Sequence, residues 1–229
     1  MQCGVFGKLP TKRDFIAINT TRGFLTVWER WMQAALSASR QTLGREWQAA
    51  FLSAPIWRFW LGCDICGATV LGAFMSSLDG VGRYFPLTVL AIAEVGDIIA
   101  PPDVASHDQW FEEAESLLLS GLERDTPYDS FLARVNGLAA PRDWKELAST
   151  DDVLRMPDTT MLRSGSEATF EQDFSLLRLH EPAELSSGAS FWWTLGGEGY
   201  PRMAMARRNM PDPFTFAPML TGRTSAESV

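Results

Sequence analysis

The sequence is short of the residues that most often do chemistry. Among 229 residues there are two histidines, three cysteines and three tyrosines. So sparse and odd a cysteine count excludes the dense disulfide framework of small secreted domains and fits a reducing compartment. Basic residues are outnumbered: twenty Lys and Arg stand against twenty-eight Asp and Glu, a formal charge of -8. That sign repels phosphate backbones and anionic lipid, so nucleic acid and membrane surfaces are not expected partners. No uninterrupted apolar run approaches the roughly 18 residues of a transmembrane helix, and no basic region followed by an apolar one opens the chain. The expectation is a cytoplasmic protein with no direct membrane insertion.

What the chain does have is material for a core: 46% apolar residues, with nine Trp and fourteen Phe. Gln2 to Phe6 reads as a short first strand. Phe24, Val27, Trp28, Trp31, Met32 and Ala35 then recur at helical spacing and put three large side chains on one face. Thr26 and Glu29 are spaced as a capping box for that helix. From Ile56 to Glu94, "IWRFWLG", "GATVLGAFMSS" and "FPLTVLAIAE" are strand-like runs with no room for a helix between them, so they should be antiparallel neighbours. "SHDQWFEEAESLLLSGLERD" returns to helix, with Ser106 and Gln109 as a second capping box and Trp110, Phe111, Ala114, Leu117 and Leu118 facing inward. Asp129 to Leu138 suggests a further helix. Ala140 to Gln172 has no clear period. "ASFWWTLG" and "PRMAMARR" read as closing strands, and "DPFTFAPML" as a last helical turn or two. With no linker or repeat, the pattern predicts one α/β domain over 1–229, a three-layer α/β/α sandwich on a mixed, partly antiparallel sheet, with the last few residues flexible.

The candidate sites are incomplete as chemistry. "GVFGK" invites a phosphate loop, but two residues separate Gly4 from Gly7, Leu9 follows Lys8, and Pro10 lacks an N–H; a Walker loop fails on each count. "GCDICG" holds a CxxC, yet strand-like sequence follows where a redox site needs a helix, so Cys63 and Cys66 read as a hairpin turn. Structural zinc on Cys3, Cys63, Cys66 and His107 or His180 lacks a second close pair. His107 and His180 read as solvated, and there is no G-x-S-x-G elbow. No metal and no cofactor is expected. In "SSLDGVGRYFPL", Asp79, Gly80 and Gly82 form a turn across which Arg83 can pair with Asp79. Lys8, Asp14, Asp79 and Arg83 together are the candidate polar cluster, either structural or partner-binding. Adjacent in a strand, Trp192 and Trp193 must face opposite ways, and an exposed one would be an interface anchor.

Three blocks, "GVFGKLPTKRDF", "SSLDGVGRYFPL" and "SFWWTLG", resemble in this order the TagF family, also called ImpM, of bacterial type VI secretion-associated proteins. Gly4, Phe6, Gly7, Lys8, Leu9, Pro10, Asp14 and Phe15 match the family's first block, while Arg13 stands where glycine is usual. The resemblance implies a compact α/β protein without catalytic activity that represses assembly or firing of the type VI secretion machine post-translationally. It also implies as partner the forkhead-associated scaffold protein of that system, with a link to its Ser/Thr kinase and phosphatase pathway. The alternative is an enzyme or small-ligand sensor using a polar cleft near Lys8, Asp14, Asp79 and Arg83. Reversing the charges of Asp79 and Arg83 is expected to abolish partner binding without unfolding the protein; a loss of thermal stability instead assigns them to structure.

Overall fold

A computed structural model of the chain describes residues 1–123, 127–141, 153–156, 159–162 and 186–223. Its centre is a seven-stranded sheet in the order β2-β1-β5-β4-β3-β8-β9. The strands are β1 (Gln2–Gly7), β2 (Ile16–Ile18), β3 (Trp57–Leu61), β4 (Val70–Met75), β5 (Leu87–Ile92), β8 (Ala189–Thr194) and β9 (Met203–Arg208). A separate hairpin pairs β6 (Val153–Met156) with β7 (Thr159–Leu162). Every neighbouring pair in the large sheet is antiparallel. The sheet is therefore antiparallel, not mixed as the sequence suggested. The largely apolar runs of β3 to β5, a habit of buried parallel strands, arise here because helices cover both faces.

On one face lie α1 (Arg22–Leu43), α2 (Trp47–Ser53) and α6 (Phe216–Thr221); on the other lie α4 (Asp108–Ser120) and α5 (Tyr128–Gly137). Alternation sorts each strand between the two cores. Trp57, Phe59 and Leu61 of β3 join the α1 side, while Trp60 joins the α4 side. The aromatic stripe of α1 meets the sheet as its spacing predicts: the Trp28 ring lies 4.5 Å from Phe59 and 5.8 Å from Trp192, centroid to centroid. Gly72 makes this packing possible, because a Cβ there would come within 2.3 Å of the Phe59 ring.

Both capping boxes are displaced. The N-cap of α1 is Thr21, whose hydroxyl accepts from the Phe24 amide at 3.3 Å, while Thr26 lies within the helix and donates to the Arg22 carbonyl. His107 caps α4 in a left-handed conformation without a side-chain bond to the helix. It is buried, not solvated, and its Nε2 lies 2.8 Å from the Ala100 carbonyl. His180 and the segment without clear period lie largely outside the described residues. The β3–β4 hairpin carries one helical turn, α3 (Cys63–Cys66).

Candidate functional site

The loop after β1 and the turn between β4 and β5 meet at one end of the sheet, and Asp79 joins them. Its side chain is wholly buried, and four donors surround the carboxylate. Oδ1 accepts from the amides of Val81 at 3.1 Å and Arg83 at 2.9 Å. Oδ2 accepts from Arg83 Nε at 2.6 Å and from Lys8 Nζ at 2.9 Å. Burial by itself pushes the carboxyl pKa up, but the Arg83 amide, the Lys8 and Arg83 side chains and the Val81 amide outweigh it. Asp79 is thus held well below the usual carboxylate range and stays ionised.

The same turn fastens the first loop by backbone bonds. The Gly80 amide donates to the Lys12 carbonyl at 2.7 Å, and the Ser77 hydroxyl donates to the Lys8 carbonyl at 2.7 Å. The guanidinium of Arg83 also reaches the Arg13 carbonyl. Gly7 begins the loop at φ 135°, and a Cβ there would come within 2.1 Å of the Pro86 carbonyl oxygen. Only glycine lets the two segments approach so closely. Lys8 is buried, with its ammonium 5.0 Å from the Phe15 ring centroid, and Phe15 in turn lies against Phe6 and Phe85.

The structure therefore brings Lys8, Asp79 and Arg83 together and leaves Asp14 out: Asp14 is exposed and makes none of the cluster's bonds. It also alters the expected result of charge reversal. A lysine or glutamate in place of buried Asp79 or its partner Arg83 would strand the remaining charges, so lost stability is the expected outcome. What this end offers to solvent is Phe15, 48% exposed, and Val81, 58% exposed, with Arg13 and Arg83 beside them. Neither exposure was read from the sequence, although the glycines on both sides of Val81 mark a turn.

Residues 4–138, more than half of the 229, match the family described as TagF N-terminal domain, type VI secretion system-associated. The chain belongs to this TagF family. It is also similar to PA0076 from Pseudomonas aeruginosa PAO1, known from a crystal structure, with 29% identity and a TM-score of 0.76 over 100% of this chain and 98% of that one. No curated protein matches it.

The other candidates in this TagF-family chain fall into the core. Burial pushes the Cys66 thiol up to about 11, while half-buried Cys63 stands at the start of the helical turn between β3 and β4. Trp192 is fully buried between Trp28 and Trp31, so it is not an interface anchor, and half-buried Trp193 packs its edge against Phe111 at 5.2 Å. Among the described residues no group of three His, Cys, Asp or Glu is placed to hold a metal ion. The sequence reading missed Arg58, which is buried on β3 and paired with Glu115 and Asp108 of α4. Its signal was there, a lone charge inside the apolar run "IWRFWLG".

Proposed function

We propose that the chain is a non-enzymatic cytoplasmic regulator of the type VI secretion system, which represses assembly or firing post-translationally by binding a component of the machine. The component is the forkhead-associated scaffold, and the kinase and phosphatase pathway acts on the same assembly. The family assignment over residues 4–138 carries this reading, because the matched segment contains the whole locked loop. The build of that loop supports a contact role. Its buried ionic groups, Lys8 and Asp79, are spent on each other and on Arg83, while Phe15 and Val81 project from a base that Asp79 fastens. Exposed apolar side chains on a preorganised support, rimmed by arginine, suit recognition of a protein surface.

The test is affinity capture of the tagged full chain from cells that express the scaffold. Scaffold recovery is expected with the unaltered chain and is expected to drop with Val81→Glu and with Arg13→Glu, both at exposed side chains. Equal recovery with both variants overturns the loop as the contact surface. No recovery with the folded, unaltered chain overturns scaffold binding itself.

A further inference from the structure

The opposite edge of the sheet has features that the locked loop does not explain. Strand β9 pairs with β8 on one side and with no strand on the other among the described residues. Ala189 stands opposite Arg208, and just beyond them the Asn209 amide donates to the Gly188 carbonyl at 2.7 Å. Ala189–Arg208 is thus a non-hydrogen-bonded pair. By the alternation of an antiparallel ladder, the N–H and C=O groups of Ala204, Ala206 and Arg208 point away from β8. None of these groups has a partner among the described residues. A free edge of this kind is a template for another strand.

Charge marks the same edge. The chain carries a formal -8, yet Arg202, Arg207 and Arg208 lie exposed along or beside this one strand, and none makes an ion pair among the described residues. Alongside runs a largely apolar groove of about 510 Å³, lined by Phe191, Trp193, Ala204 and Ala206 together with Arg202 and Asp103. A second concavity, of about 600 Å³, lies at the far end under Arg207 and Arg208. Self-pairing of two β9 edges in antiparallel register would set Arg202 of one copy near Arg207 and Arg208 of the other, an arrangement that like charge opposes.

We propose that the outer edge of β9 is a docking site for an extended, acidic segment of a partner protein, which adds to the sheet as a further strand. Main-chain bonds to Ala204, Ala206 and Arg208 supply the pairing. Alternate side chains of the added strand meet the groove, which Arg202 and Arg208 flank on the same face, while carboxylates on its other face meet Arg207.

The probe is a fluorescein-labelled peptide of alternating valine and glutamate, followed by anisotropy against the full chain. Its counterpart of valine and lysine and a version N-methylated at alternate residues serve as comparisons. The acidic probe is expected to bind about tenfold or more tighter than the basic one, and raised salt is expected to weaken it. Ala206→Pro removes one outward N–H without touching the β8 ladder, and it is expected to weaken binding by about tenfold, as is N-methylation of the probe. Arg207→Glu with Arg208→Glu is expected to do the same through charge. Equal binding of the N-methylated probe overturns the proposal, since it leaves charge attraction alone; that comparison needs no protein variant to fold. Equal binding of the basic probe, no saturable binding, or a homodimer that Ala206→Pro dissolves overturns it too.

Discussion

Asp79 concentrates the chemistry of the site in one carboxylate. Its folded pKa lies below the ordinary carboxylate value of about 3.9, so its contribution to stability is fully present above that value. The contribution is lost as pH falls from there through the depressed folded value. Asp79→Asn is therefore expected to lower Tm by a constant amount between about pH 5 and 7, and the gap is expected to narrow below about pH 4. A gap that widens on acidification contradicts this account; thermal melts across that range decide it. Cysteine gives a second check at this scale. With the Cys66 thiol pushed up to about 11 and buried, half-buried Cys63 is expected to alkylate first at neutral pH, and Cys66 only on unfolding. The Asp79–Arg83 pairing was legible because it is local, four residues across a glycine turn. The exclusion of Asp14 was not, because the path of the loop after Lys8 depends on bonds to a turn some seventy residues away.

Elements begin where a side chain satisfies the free amides, and a motif of the right spacing does not guarantee that place. Thr21→Ala is expected to cost about 1 kcal/mol in urea denaturation, whereas Thr26→Ala is expected to stay within about 0.5 kcal/mol. Comparable costs for the two would return the helix start to Thr26. The box at Thr26 and Glu29 misled because one turn of helix was already formed before it. The inward faces of α1 and α4, by contrast, were legible in the main, with Val27 only half-buried and Leu36 added to the face of α1, since a period near 3.6 survives any shift of the ends. In the loop after β1, Gly7→Ala is expected to destabilise by about 2 kcal/mol or more, because the added methyl meets backbone at 2.1 Å in a left-handed conformation. Chemical denaturation measures this directly, and a near-neutral result would mean the two segments do not approach as closely as described.

At the scale of the molecule, Arg58 couples the sheet to α4. Glu115→Gln leaves its guanidinium buried with a longer contact to Asp108 at 3.4 Å, and is expected to cost about 2 kcal/mol in chemical denaturation. A neutral result would mean that Asp108 and the face of Phe111, 4.6 Å away, suffice. The turn between β4 and β5, which carries Val81, and the β9 edge stand at least three strand steps apart, about 14 Å. Val81→Glu and Ala206→Pro should then act independently, their effects on stability adding to within about 0.5 kcal/mol.

From the sequence alone came the opposite facing of Trp192 and Trp193, the aromatic face of α1, the antiparallel run of β3 to β5, the family blocks and the absence of an intact catalytic motif. These depend on period and local spacing, which the order of residues carries directly. Only the tertiary structure decided that the whole sheet is antiparallel, that Lys8 and Asp79 are buried partners, that Trp192 is core, and that Phe15, Val81 and the arginines of β9 face outward. Burial and pairing of residues far apart in the chain follow from which surfaces pack together, and no local pattern encodes that.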